Sequence, residues 1–166
     1  MTINLENIQN HIIEMKDFEL KWRFTEEKYD VLPELHLNQI KPLSKGACNF
    51  LDQYIKSTVL QDNEPFKKNL FHTVEYIYVS EANERDVKEW LYQRGVAFDK
   101  NVYVSWDSEK GAIVPWKILI DYFDSFYYPG SDDLIAIDEN LNWALLFAHW
   151  ETIFFGTKMT VSSKNI

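Results

Sequence analysis

Two hydrophobic periods alternate along this chain. Leu5, Ile8, Ile12 and Met15 recur at three- and four-residue steps with Ile13 beside them, the spacing of one face of an amphipathic helix. Leu20, Trp22 and Phe24 then alternate with Glu19, Lys21 and Arg23, the period of a half-buried strand. The polar run from Thr25 to Tyr29 suits a helical turn capped by Thr25, and Pro33 and Pro42 bracket a connection that contains His36. Ser44 is placed to cap a second helix whose apolar face is Cys48, Leu51 and Ile55, and residues 58–69 read as a loop.

Residues 71–79, FHTVEYIYV, read as a strand rich in aromatic and β-branched side chains. Ser80 or Asn83 caps the next predicted helix, which carries Val87, Trp90 and Leu91 on one face and ends at Gly95. Val102 to Trp106 predicts another strand, followed by a polar turn from Asp107 to Gly111. Pro115 suits the first position of a helix with Ile118, Leu119, Tyr122, Phe123 and Phe126 on its apolar stripe, stopped by Tyr128-Pro129-Gly130. Residues 134–137, 143–148 and 152–155 then predict three strands joined by links short enough for an antiparallel meander. The middle one is apolar on both faces, which places it inside the sheet. These elements predict a single α+β domain over residues 1–157, a mostly antiparallel sheet with three to four helices packed on it, and a flexible tail over 158–166.

Composition narrows the function. The 166 residues suffice for a real core, and a 46% apolar, 16% aromatic content excludes disorder. A lone cysteine excludes an internal disulfide and fits a reducing compartment. With no signal-peptide pattern and no membrane-length apolar run, the expected location is the cytoplasm. A pI near 4.9 disfavours direct binding of nucleic acid or of an anionic membrane, since both recruit clustered Lys and Arg.

The charge is unevenly spread. Residues 118–157 contain seven carboxylates and no Lys or Arg, whereas residues 1–117 sum to −4 and residues 158–166 to +2. Asp121, Asp124, Tyr127, Tyr128, Asp132, Asp133, Asp138 and Glu139 are therefore the candidate binding residues: carboxylates to steer and pair with a basic protein partner, tyrosines to anchor it.

Enzymatic chemistry is less well marked. Cys48 lies on a predicted buried face with no cation patterned near it, which reads as a core thiol. Asp132, Asp133, His149 and Glu151 form a candidate divalent-metal set, against the plainer reading of a polar hairpin turn, so no cofactor or metal is expected. Asp121 with Asp124, and Asp132 with Asp133, are candidate acid/base pairs. No nucleotide-binding or nucleophile-elbow motif is present. The alternatives to a binding protein are thus a small metal-dependent or carboxylate-based hydrolase and a ligand-binding regulatory domain.

The residues Trp22-x-Phe24 and Gln39-Ile40-Lys41-Pro42-Leu43, and the ending Asp132-Asp133, Trp143-x-Leu145-x-Phe147-x-His149 and Phe154-Phe155-Gly156, resemble small bacterial domains of unknown function. They also resemble the acidic immunity proteins of polymorphic toxin and contact-dependent inhibition systems. The likeness spans roughly residues 20–156 and implies a role without a residue-level site. That role is a non-catalytic cytoplasmic protein that binds and blocks a cognate toxin, often a basic nuclease.

Overall fold

A computed structural model of the protein describes residues 2–158; the tail expected from the sequence lies, apart from Lys158, outside the described residues. Seven strands form one sheet: β1 (Lys41–Pro42), β2 (Thr73–Tyr78), β3 (Asn101–Asp107), β4 (Lys110–Pro115), β5 (Leu134–Ile137), β6 (Trp143–Ala148) and β7 (Thr152–Thr157). Their order is β1-β4-β3-β5-β6-β7-β2, and every neighbouring pair is antiparallel. Six helices accompany them: α1 (Trp22–Thr25), α2 (Glu34–Leu37), α3 (Lys45–Thr58), α4 (Glu84–Tyr92), α5 (Trp116–Asp121) and α6 (Phe123–Phe126). The protein is a single α+β domain. Among the described residues no helix is long and apolar enough to cross a membrane.

Both faces of the central strands are covered. Val102, Val104, Leu145 and Phe147 point to one face, where they meet Phe24, Val87, Leu91 and the apolar side of α5 and α6. Ile113, Ile135, Ala144 and Leu146 point to the other, where Cys48, Leu51 and Ile55 of α3 lie. Two-sided burial accounts for β5 and β6, in which every residue is buried. The alternation expected of β6 is observed, with Trp143, Leu145 and Phe147 in one core and Ala144, Leu146 and Ala148 in the other.

Helix α3 begins as predicted, the Ser44 hydroxyl accepting the Ala47 N–H at 3.4 Å. Ser80 and Asn83 form a capping box ahead of α4, and Gly95 adopts φ +83° in the turn beyond it. The N-terminal expectations are corrected. Residues 5–15 form no helix but two short 3-10 turns, Ile8–His11 and Met15–Asp17. Ile8 belongs to the α3-side core and Met15 packs against the opposite one, so no single helical face satisfies both. The strand expected at 20–24 is instead a turn leading into α1, whose i, i+4 pair Leu20 and Phe24 enters the core.

The expected turn Asp107–Gly111 is shorter. Asp107 accepts from Lys110 Nζ at 2.9 Å across a two-residue tip, and Lys110 opens β4, a strand concealed in the sequence by Gly111. Pro115 is the residue before the first turn of α5, one position earlier than expected, and the helix breaks at Tyr122 (φ −119°, ψ 28°) before α6.

Gly156 of β7 provides a test of the packing. A Cβ built there would lie 2.3 Å from the Phe71 ring. Gly156→Ala is expected to destabilise the fold by about 1–3 kcal/mol. Phe71→Ala in the same chain should recover part of that loss, a coupling measured by a double-mutant cycle in urea.

Candidate functional site

The acidic segment is held by one cation from far away in sequence. Arg23 is only 6% exposed, and its guanidinium donates to Asp132 at 2.7 and 3.3 Å and to the Phe126 carbonyl at 3.2 Å. Asp132 Oδ2 also accepts the Tyr128 N–H at 2.8 Å, and the Tyr128 ring covers the guanidinium at 4.0 Å. The Trp106 indole N–H shares the Phe126 carbonyl at 2.7 Å. Tyr127 is buried, donating its hydroxyl to the Ala148 carbonyl at 2.5 Å, and burial pushes that hydroxyl's pKa up.

The other candidates divide by partner. Asp138 is buried and closes the β5–β6 turn by accepting the Asn142 N–H at 2.9 Å. Glu139 pairs with Lys100 at 2.6 Å, and that hydrogen bond holds its carboxyl below the usual range. Asp121 accepts from Lys117 at 2.5 Å and from the Tyr92 hydroxyl, while burial raises its carboxyl. Asp121 and Asp124 are not brought together, because the helix breaks between them.

Asp133 is exposed, accepting the His149 N–H at 2.8 Å and facing its Nδ1 at 3.0 Å. With Asp132 turned inward to Arg23 and Asp133 outward to His149, the adjacent acids serve separate ends of the loop. Among the described residues no group of three or more His, Cys, Asp or Glu side chains is arranged to hold a metal ion. Cys48 is buried, its thiol 3.4 Å from the Leu43 carbonyl, and desolvation pushes its pKa up to about 11.

What remains at the surface is a row of aromatic rings that the sequence reading passed over. The β6–β7 hairpin tip presents Trp150, 53% exposed, edge-on to the His149 ring at 5.0 Å. From Trp150 the row continues through Phe154 to Tyr76 and Tyr78 of β2, with centroids 6.1, 6.1 and 5.4 Å apart. Tyr76 and Tyr78 are 56% and 66% exposed because α3 lies over β3 and β4 and leaves this end of the sheet open. Their shared face was legible in the alternation Tyr76-Ile77-Tyr78.

Carboxylates without ion pairs lie at the same end of the sheet. Beside the row a groove of about 870 Å³ runs between Trp150, Phe154 and the loop carrying Asp62 and Glu64. Beyond Val79, next to Phe123 and Tyr127 of the opposite core, a pocket of about 330 Å³ is bordered by Glu81, Glu84, Asp124 and Glu151. None of these six carboxylates has an ion-pair partner among the described residues. Asp124 reaches the surface, yet burial of its carboxyl and the nearby charge of Asp30 raise its pKa.

Comparison with protein-family models, with curated proteins and with solved structures gives no match.

Two expectations follow. Asp132→Lys should cost about 3–5 kcal/mol, because it leaves the buried Arg23 unpaired against a second cation, while Asp133→Lys, which loses only the exposed bond to His149, should cost about 0.5–1.5 kcal/mol. Urea denaturation of the two variants checks the contrast. Asp124, whose folded-state pKa is raised, is favoured neutral by the fold; its contribution is full below the unfolded-state pKa and is lost as pH rises through the folded-state value. Asp124→Asn should therefore raise the thermal midpoint at neutral pH, and the gain should vanish as the solution is acidified.

Proposed function

We propose that this is a non-catalytic, cytoplasmic binding protein of the immunity type, which neutralises a basic toxin domain by covering its working surface. The observation that carries this reading is the exposed aromatic row from Trp150 to Tyr78, with carboxylates at the same end of the sheet that have no ion-pair partner among the described residues. Carboxylates that form no ion pair within the described residues retain more of their field for a partner and draw a basic surface in from a distance. Tyr and Trp rings supply large contact area at small entropic cost, and they dominate the energetics of protein interfaces. The net charge of −9 acts in the same direction. The interface thus lies chiefly on the β6–β7 tip and β2, with Asp124 and Asp133 as its contribution from the acidic loop, while Tyr127 and Asp132 support it from beneath.

Affinity purification from the native cell, followed by surface plasmon resonance at two salt concentrations, tests the reading. The partner should be basic, and its association should slow steeply as salt shortens the screening length below about 10 Å. Trp150→Ala should cost at least about 2 kcal/mol of binding. Glu151→Lys should act mainly on the association rate, with the fold within about ±0.5 kcal/mol of the parent. Salt-independent binding that neither substitution disturbs would remove the proposal.

A further inference from the structure

The two edges of the sheet are treated very differently. At one end β1 is two residues long and contains Pro42, which has no N–H to offer. At the other end β2 is six residues long, with no Lys or Pro and an unbroken register, and just before it the His72 N–H donates to the Thr157 carbonyl at 2.9 Å. Val74, Tyr76 and Tyr78 are 45%, 56% and 66% exposed along it. Such an edge is a template for another strand unless something covers it.

The register shows which backbone groups are open. Val79 donates its N–H to the Glu151 carbonyl at 2.9 Å, and on the far side of β7 Lys158 donates to Asn142 at 2.9 Å. Antiparallel alternation then turns the backbone of Thr73, Glu75 and Ile77 toward β7 and that of Val74, Tyr76 and Tyr78 outward. The Tyr78 carbonyl is taken by the Asn83 side-chain amide at 2.8 Å, which closes the end of the edge. Five groups have no hydrogen-bond partner among the described residues: the N–H and C=O of Val74 and of Tyr76, and the N–H of Tyr78.

Charge selects the occupant. Residues 73–84 hold Glu75, Glu81 and Glu84 and no Lys or Arg, and Glu151 stands opposite Val79. Arg94 meets Glu75 at 2.8 Å, and the other three acids have no ion-pair partner among the described residues. A second copy of this −9 chain would bring the same carboxylates together. We infer that β2 is the docking edge for an extended cationic segment of the partner, which joins the sheet as an eighth strand. This deepens the binding reading above and rests on it. Alternate side chains of the incoming strand lie beside the Tyr76 and Tyr78 rings, where Lys or Arg gains a cation–π contact.

The probe is a synthetic peptide of about eight residues, a usual strand length, alternating Lys and Val. A fully N-methylated copy and a Glu/Val copy serve as controls. In the free protein the amides of Val74, Tyr76 and Tyr78 should exchange quickly and those of Glu75 and Ile77 slowly. The Lys/Val peptide should slow the first three at least about tenfold, and N-methylation should weaken its binding roughly ten- to thirtyfold through the lost ladder bonds. Tyr76→Pro removes an outward N–H without touching the β7 ladder, so it should fold and lose the peptide.

Peptide binding that leaves these three amides unprotected, or that survives both N-methylation and Tyr76→Pro, overturns strand addition while leaving a basic partner in place. Binding of the Glu/Val copy as tight as that of the Lys/Val peptide overturns the cationic occupant. No binding of the Lys/Val peptide overturns the inference; salt and Trp150 dependence toward the native partner then decides the broader reading separately. A dimer in sedimentation, with the three amides already protected and released by Tyr76→Pro, makes the occupant a second copy and overturns it equally.

Discussion

The arrangement of the acidic half of the molecule depends on the Arg23–Asp132 pair. It joins positions 109 residues apart, and it does more than neutralise charge. The guanidinium also takes the Phe126 carbonyl at the end of α6, and Asp132 takes the Tyr128 N–H. Two backbone groups at a helix end and its following turn are thereby satisfied away from water, as buried polar groups require. With residues 126–132 pinned, Tyr127 reaches the Ala148 carbonyl and Gly130 donates to His149, so the β6–β7 tip is fixed from below. The exposed Trp150 is presented by a rigid hairpin because a buried cation holds the adjoining loop.

This pair also explains where sequence reading succeeded and where it did not. The sheet's C-terminal meander, α3 and α4 were legible because each carries a local signal: a period, a cap, a short link. Arg23 had none. Alternation from Leu20 to Phe24 places it on a solvent face, and only a carboxylate far along the chain makes its burial possible. Asp132 was read as an exposed loop acid for the complementary reason. Ile8 and Met15 carry the same lesson in apolar form, since a helical spacing cannot reveal that the two side chains enter different cores. The density of acids in residues 118–157 was correctly seen, but their count gave no means of separating those with internal partners, such as Asp138 and Glu139, from those left open, such as Asp124.

The covering of the sheet supplies the remaining logic. One face is filled by α4, α5, α6 and α1, the other by α3 with Ile8 and the segment carrying Val59, Phe66 and Phe71, and α3 lies over β3 and β4 rather than over β2. At that end the sheet keeps its aromatic side chains but lacks a helix above them. In a chain selected only for solubility, Tyr76, Tyr78 and Trp150 would be costly exposures on a long free edge. Here they coincide with carboxylates that form no ion pair among the described residues. An aromatic surface, an open backbone edge and an unneutralised charge each have ordinary explanations alone. Together at one end of one sheet they are the observations on which the proposed basic, extended partner rests, and they stand at the long edge, whereas the opposite edge is blunted by Pro42.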